Sequence, residues 1–218
     1  MNSVIVDSWY FFKNNIKKLT IFAFPFFLIS IAPDIIGINN PKSIIADAIV
    51  IVDIIFIMPF YTGSLLILIS HLVKNEDVAI NSIVSRVIPL WFPLFLVTLF
   101  SSLIILGGFL ALIIPGVWLM IRLFLSPLYV IFQGQSATQA IGTAYNDSAP
   151  YLSKFFFALL PLVLLVIYLG VIGFNTPKEP SYILTILNGL LGEFLFIFIS
   201  IIQFRLYTLY IEDPENPE

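Results

Sequence analysis

Six stretches of this chain, at roughly 19–38, 44–72, 88–107, 112–133, 155–174 and 183–210, are apolar over about the length needed to cross a bilayer. About 20 apolar residues span roughly 30 Å of hydrocarbon. No other feature restricts the fold as strongly, because lipid offers no hydrogen bonds to the backbone. A segment of this length satisfies its own N–H and C=O groups only as a helix. The rest of the composition agrees. Charged residues make up 11% of the chain, under half of the roughly 25% that covers a soluble domain. The expected fold is an all-α membrane protein with six transmembrane helices, forming one polytopic domain over residues 1–218 with a short acidic tail at 211–218.

Lys13, Lys17 and Lys18 precede the first apolar run, as in a cleavable signal. The small residues at its end, Ser30 and Ala32, are followed at once by Pro33, which disfavours cleavage, so the first helix is expected to be retained. Basic residues set the expected orientation. With the N-terminus in the cytoplasm, that side holds Lys13, Lys17, Lys18, Lys74, Arg86, Lys154 and Arg205, and the other side only Lys42 and Lys178. The positive-inside rule then puts both termini in the cytoplasm.

An internal repeat is the next signal. A shift of 68 residues superimposes Pro25, Pro93 and Pro161, and likewise Lys18, Arg86 and Lys154. Pro59 falls on Pro127 and Tyr61 on Tyr129, and two shifts carry Gly37, Asn39, Pro41 and Lys42 onto Gly173, Asn175, Pro177 and Lys178. The pattern predicts three parallel hairpin repeats of about 68 residues, near 5–72, 73–140 and 141–210. Each is preceded by a short interfacial amphipathic segment: Ser3 to Lys17, Asp77 to Ser85, and Ala137 to Ser153. Lys18, Arg86 and Lys154 would then lie at lipid headgroup level. The turn between the third and fourth helices is expected between Gly107 and Gly116.

Ionisable side chains inside such runs are costly and normally face a partner. Folded onto the first repeat, Arg122 maps to position 54 and Glu193 to position 57, within one helical turn of Asp53. These three are expected to form a buried cluster in which Arg122 serves both carboxylates. One acid is left in excess, to be partly protonated or to bind a cation. Ser64 and His71 share a face with Asp53, Ser126 follows Arg122 at i+4, and Gly189 precedes Glu193 at i−4. Asp47 reads as a solvated helix-start residue.

Enzyme motifs are missing from the sequence. One histidine cannot supply H-E-x-x-H, and there is no phosphate loop or dinucleotide fingerprint. Thr62-Gly63-Ser64 lacks the surroundings of a serine nucleophile, and zero Cys removes thiolate chemistry and Cys-ligated metals. No catalytic residue, metal or cofactor is expected, and no nucleic-acid partner.

The stretch LGGFLALIIPGVWLMIRLFLSP from Leu106, followed by GQSATQAIGTA, resembles the signature of the YciC-like inner-membrane proteins. It is also similar to the membrane domain found beside some bacterial glycerophosphodiesterases. The matching features are Gly107, Ile114-Pro115-Gly116, Arg122, Pro127 and Ala140-Ile141, over about 50 residues. Family members are expected to carry an acid near Gln133 and a serine near Ala144, which this chain lacks. The resemblance implies a multi-helix bundle in a bacterial cytoplasmic (inner) membrane, without a defined reaction. The functional expectation is a non-enzymatic protein in envelope or lipid homeostasis, contacting membrane lipids and a membrane-protein partner or a second copy of itself. The alternative is a small transporter or permease built around the mid-membrane Asp-Arg-Glu cluster.

Overall fold

A computed structural model describes residues 2–40, 42–161 and 181–212. Among these residues every regular element is helical. Helix α1 spans Asn2–Asn39 and α2 spans Ile44–Val52. A π-helical turn at Asp53–Ile57 leads into α3, Met58–Val73. Then come α4 (Ile80–Val87), α5 (Trp91–Ala111), α6 (Ile113–Leu123), α7 (Ser126–Gln133) and α8 (Ala137–Asp147). Helix α9 is described over 152–161, and α10 spans Tyr182–Tyr207. Five helical stretches are long and apolar enough to cross a membrane: Val4–Asn39, Ile44–Val73, Ile80–Ala111, Ile113–Gln133 and Tyr182–Glu212. Most of the expected fifth apolar segment, 155–174, and the turn at Asn175 to Lys178 lie outside the described residues, as does most of the acidic tail.

The first expected interfacial segment is not a separate element. Residues 3–17 continue into the first apolar run as one helix of 38 residues. At 1.5 Å per residue such a helix is about 57 Å long, well beyond a bilayer core of roughly 30 Å. One face of its first half packs against α10, while Val6, Trp9 and Tyr10 on the other face are exposed. The Phe12 ring meets Phe194 and Phe198 of α10 edge-on, at centroid distances of 6.1 and 6.0 Å. The third expected segment is likewise built in. Gly134, with φ +64°, ends α7 in the left-handed conformation that glycine tolerates. Ser136 and Gln139 then form a capping box that starts α8. Helix α8 runs back along α7 and buries Ala137, Ala140 and Ala144.

Two prolines break their helices. Pro59 has no N–H to donate and clashes with the carbonyl one turn back. The chain widens there, and Met58 N–H bonds to the Asp53 carbonyl five residues earlier. Pro127 breaks the next hairpin between α6 and α7, and the side chains nearby take up the freed carbonyls. The Ser126 hydroxyl donates to Leu123 O at 2.6 Å, and the Gln203 amide of α10 donates to Phe124 O.

Packing is uneven along the bundle. Towards the end that carries the N-terminus, Leu65 and Ile69 of α3 and Ile202 of α10 are completely buried. Towards the other end the helices separate, and Ile44, Leu110 and Ile114 are each more than 80% exposed. Apolar surface of that extent suits lipid and not water. Helices α5 and α6 meet at Leu112, whose extended backbone makes the turn inside the expected interval. A Cβ on Gly108 would lie 3.0 Å from Gly116 Cα and 2.7 Å from Leu119 Cδ1, whereas one on Gly107 would meet nothing within 4 Å.

This neighbouring pair gives a matched test of the α5–α6 approach. Gly108→Val should lower stability by roughly 1–3 kcal/mol through overpacking. Gly107→Val should stay within about 0.5 kcal/mol. Unfolding midpoints in detergent compare the two, and equal losses would show that the close approach is absent.

Candidate functional site

The π-helical turn turns Asp53 towards α1. Its carboxylate oxygens each accept from the Ser30 hydroxyl at 3.3 Å. About two turns further, Tyr61 packs against two aromatic rings. Phe26 stacks at 4.4 Å and Phe196 lies at 5.2 Å. Thus fixed, the Tyr61 hydroxyl donates a hydrogen bond to Glu193 of α10. Ser30, Asp34, Asp53, Tyr61 and Glu193 line one cavity of about 320 Å³ between α1, the α2–α3 helix and α10. Gly189 and Gly192 line it too. A Cβ on Gly189 would come within 2.8 Å of Ile31 Cδ1, so this glycine lets α10 approach α1.

Asp34, Asp53 and Glu193 give the cavity three acids, and none of its described lining residues is basic. Among the described residues no three His, Asp or Glu side chains are grouped to hold a metal ion. The acids therefore line a wall instead of converging on a point. Such a wall can hold a proton or a monovalent or organic cation.

The expected Asp53–Arg122–Glu193 cluster does not form: among the described residues Arg122 has no ion pair. Arg122 points instead to α8, part of the expected interfacial segment from Ala137 to Ser153. Its guanidinium lies 4.1 Å from the Tyr145 ring centroid and 5.2 Å from that of Trp118, one turn back on α6. It is 8% exposed, and its Nε has no hydrogen-bond partner among the described residues. Two aromatic faces contribute about 0.5–2 kcal/mol each towards holding such a cation.

The polar residues expected to support the cluster also lie elsewhere. Ser126 faces Ser101 of α5 at 3.3 Å. Ser64 is fully buried, and its hydroxyl has no partner among the described residues. His71 closes α3, with Nδ1 2.9 Å from Ile67 O and Nε2 3.3 Å from Arg86. Asp47 is exposed in the first turn of α2, behind the Ser43 cap. The three interfacial basic residues are exposed and touch protein. Lys18 pairs with Asp77 at 3.0 Å, Arg86 meets His71, and Lys154 lies 4.7 Å from the Tyr210 ring centroid. Ser30, Asp34 and Tyr61 were not expected at the site. The i, i+4 spacing of Ser30 and Asp34 on α1 was the available signal.

A second cavity, of about 430 Å³, lies between the same three helices at the N-terminal end of the bundle, where Asp7, Ser8 and Arg205 line it. Leu19, Ala23, Leu65 and Ile197 are buried between the two cavities. Beside this apolar layer a small, partly open groove lies between α1 and α10 at Thr20, Phe24 and Phe194.

Two stability measurements check this arrangement. Arg122→Met should change unfolding free energy by no more than about 2 kcal/mol, since no buried carboxylate loses a partner; a loss of about 3–5 kcal/mol would reveal one. A double-mutant cycle of Tyr61→Phe with Glu193→Gln should give a coupling of about 1.5–3 kcal/mol, the range of a hydrogen bond to a charged group. Coupling near zero would remove the Tyr61–Glu193 contact.

No family model matches the chain, and neither a curated protein nor a solved structure matches it.

Proposed function

We propose that the chain is a non-enzymatic carrier, a small permease that takes up a proton or a small cation at Asp53 and Glu193. The observation that carries this reading is the stacking of two cavities on one three-helix interface. The acidic one opens at residues 27–34 of α1 and 189–196 of α10, and the polar one near residues 7–15 and 201–208. An apolar layer divides them. A carrier needs access from either side and a barrier between, with its site where helices are interrupted. Asp53 begins such an interruption, and π-turns recur at functional sites.

Several finer features belong to the same reading. Six transmembrane helices in three parallel repeats are supported by the helix breaks at both Pro59 and Pro127. With both termini in the cytoplasm of a bacterial inner membrane, the polar cavity would be the cytoplasmic one. Membership of the YciC-like family is proposed on the motif from Leu106 to Ala144. A second reading, envelope or lipid homeostasis with a membrane-protein partner, is favoured by Lys18, Arg86 and Lys154, all exposed at the N-terminal end.

Reconstitution tests the carrier. Proteoliposomes should show flux above that of empty vesicles, down an imposed proton gradient read by a trapped pH dye or down an imposed Na⁺ or K⁺ gradient read by a trapped dye for that ion. Asp53→Asn and Glu193→Gln should each lower it by about ten-fold or more, as expected where an intramembrane acid is part of the path. Flux no greater than in empty vesicles, or unchanged in both variants, would sink the proposal.

A further inference from the structure

We infer that His71 is a proton-operated latch between α3 and α4. Its neutral ring holds Arg86; its protonated ring exchanges Arg86 for Glu76 and leaves the arginine to an anionic phospholipid headgroup. The two ring contacts of His71 admit one neutral tautomer. Nδ1 lies 2.9 Å from Ile67 O, and Nε2 lies 3.3 Å from Arg86 Nη1. With its proton on Nδ1, the ring donates to the carbonyl and accepts at Nε2 from the guanidinium, which can only donate. With its proton on Nε2, donor would face donor at Arg86 and lone pair would face lone pair at Ile67. The neutral ring therefore carries a hydrogen bond from α4 to α3.

A second proton goes to Nε2 and turns that acceptor into a donor. Two cations then face each other, and the bond to Arg86 is lost. Glu76 stands ready to replace it, with Oε2 3.8 Å from Nε2. The backbone fixes this placement. Asn75, at φ +55°, closes α3 in the left-handed conformation that asparagine tolerates. Its N–H bonds to Leu72 O at 3.2 Å, and the Glu76 N–H bonds to His71 O at 2.9 Å, the two bonds of a Schellman turn. The other charges at this corner are Lys74, at the end of α3, and Asp77, which is paired with Lys18 of α1 at 3.0 Å.

What Arg86 does when released follows from its neighbours. Ile83 and Val87 of α4 are buried and keep the helix in place, so only the arginine side chain is set free. Ile80 and Ile88, at the two ends of α4, are 60% and 62% exposed. A short helix that shows both isoleucine and arginine on its open side suits the membrane interface, where basic groups attract anionic lipids. No described residue of α4 lines either of the two stacked cavities, so a lipid held here leaves both openings clear.

The test uses the full chain, whose single histidine makes ring ¹⁵N signals unambiguous. At about pH 8 they should show the proton on Nδ1, not the Nε2–H form that free histidine favours, and at about pH 5.5 both nitrogens should be protonated. Over the same interval, native mass spectrometry in mild detergent should show phosphatidylglycerol retention rising relative to phosphatidylcholine of the same acyl chains. A rise of about five-fold is expected, the scale of one basic residue freed at an anionic surface. His71→Gln keeps an acceptor for Arg86 but cannot gain a proton, and Arg86→Ala removes the lipid contact; each should lose the rise. An Nε2–H tautomer in the neutral ring, no rise in the unaltered chain, or a rise preserved in either variant overturns the latch.

Discussion

A carbonyl freed by a proline inside an apolar helix must find a donor within the protein, because lipid supplies none. Much of this architecture follows from how that demand is met at two places. Before Pro59 the helix widens into a π-turn and keeps its bonds along its own axis. Before Pro127 it breaks, and Ser126 and Gln203 supply the missing donors. The first solution changes where Asp53 faces and so makes a cavity. The second ties α6 and α7 to α10 and closes space. Similar prolines thus produce a site in one hairpin and a joint in the other.

The gradient of packing acts on the same elements. Leu65, Leu66 and Ile69 fill the centre where α3 meets its neighbours, and all three are fully buried. Towards the turns at Leu112 and Ser43, the helices keep pairwise contact but lose a common core. The acidic cavity lies where the packed region gives way to the separated one. There Gly189 and Gly192 remove side-chain bulk from α10 next to Glu193. An ionisable group is least costly at such a boundary, since polar neighbours and bound cations can reach it.

The sequence made the element types legible, because they depend on a one-dimensional quantity. Apolar run length is read directly, and the 1.5 Å rise turns residue offsets into depth. The turn at Leu112 falls inside the interval from Gly107 to Gly116 by the same kind of local rule, whereas the π-turn before Pro59 could not be read. What could not be read was azimuth. Arg122 and Asp53 share a level on the repeat, but α8 folds back beside α6 and offers Tyr145 to the arginine. Only the Gly134 cap and the Ser136–Gln139 box announce that reversal, just ahead of the stretch Ala137 to Ser153 that reads as an interfacial segment. Similarly, the polar character of 3–17 suggested a surface helix, whereas Phe12 and Asp7 pack it onto α10. Tertiary contacts outweighed local polarity there.

Separating Arg122 from the acids has a consequence for what the acidic cavity can do. Had the guanidinium bridged Asp53 and Glu193, it would have fixed both as permanent anions, since arginine does not give up its proton. Hydroxyls take its place, from Ser30 at Asp53 and from Tyr61 at Glu193. A hydroxyl donates to a carboxylate and equally accepts from a carboxylic acid. Each contact therefore tolerates both charge states of its acid, and neither state leaves a buried partner stranded. The arginine is meanwhile held by aromatic faces, which do not exchange protons at all. This division leaves the charge of the cavity free to vary while the charge between α6 and α8 stays constant, the condition that a reversible cation or proton site must meet.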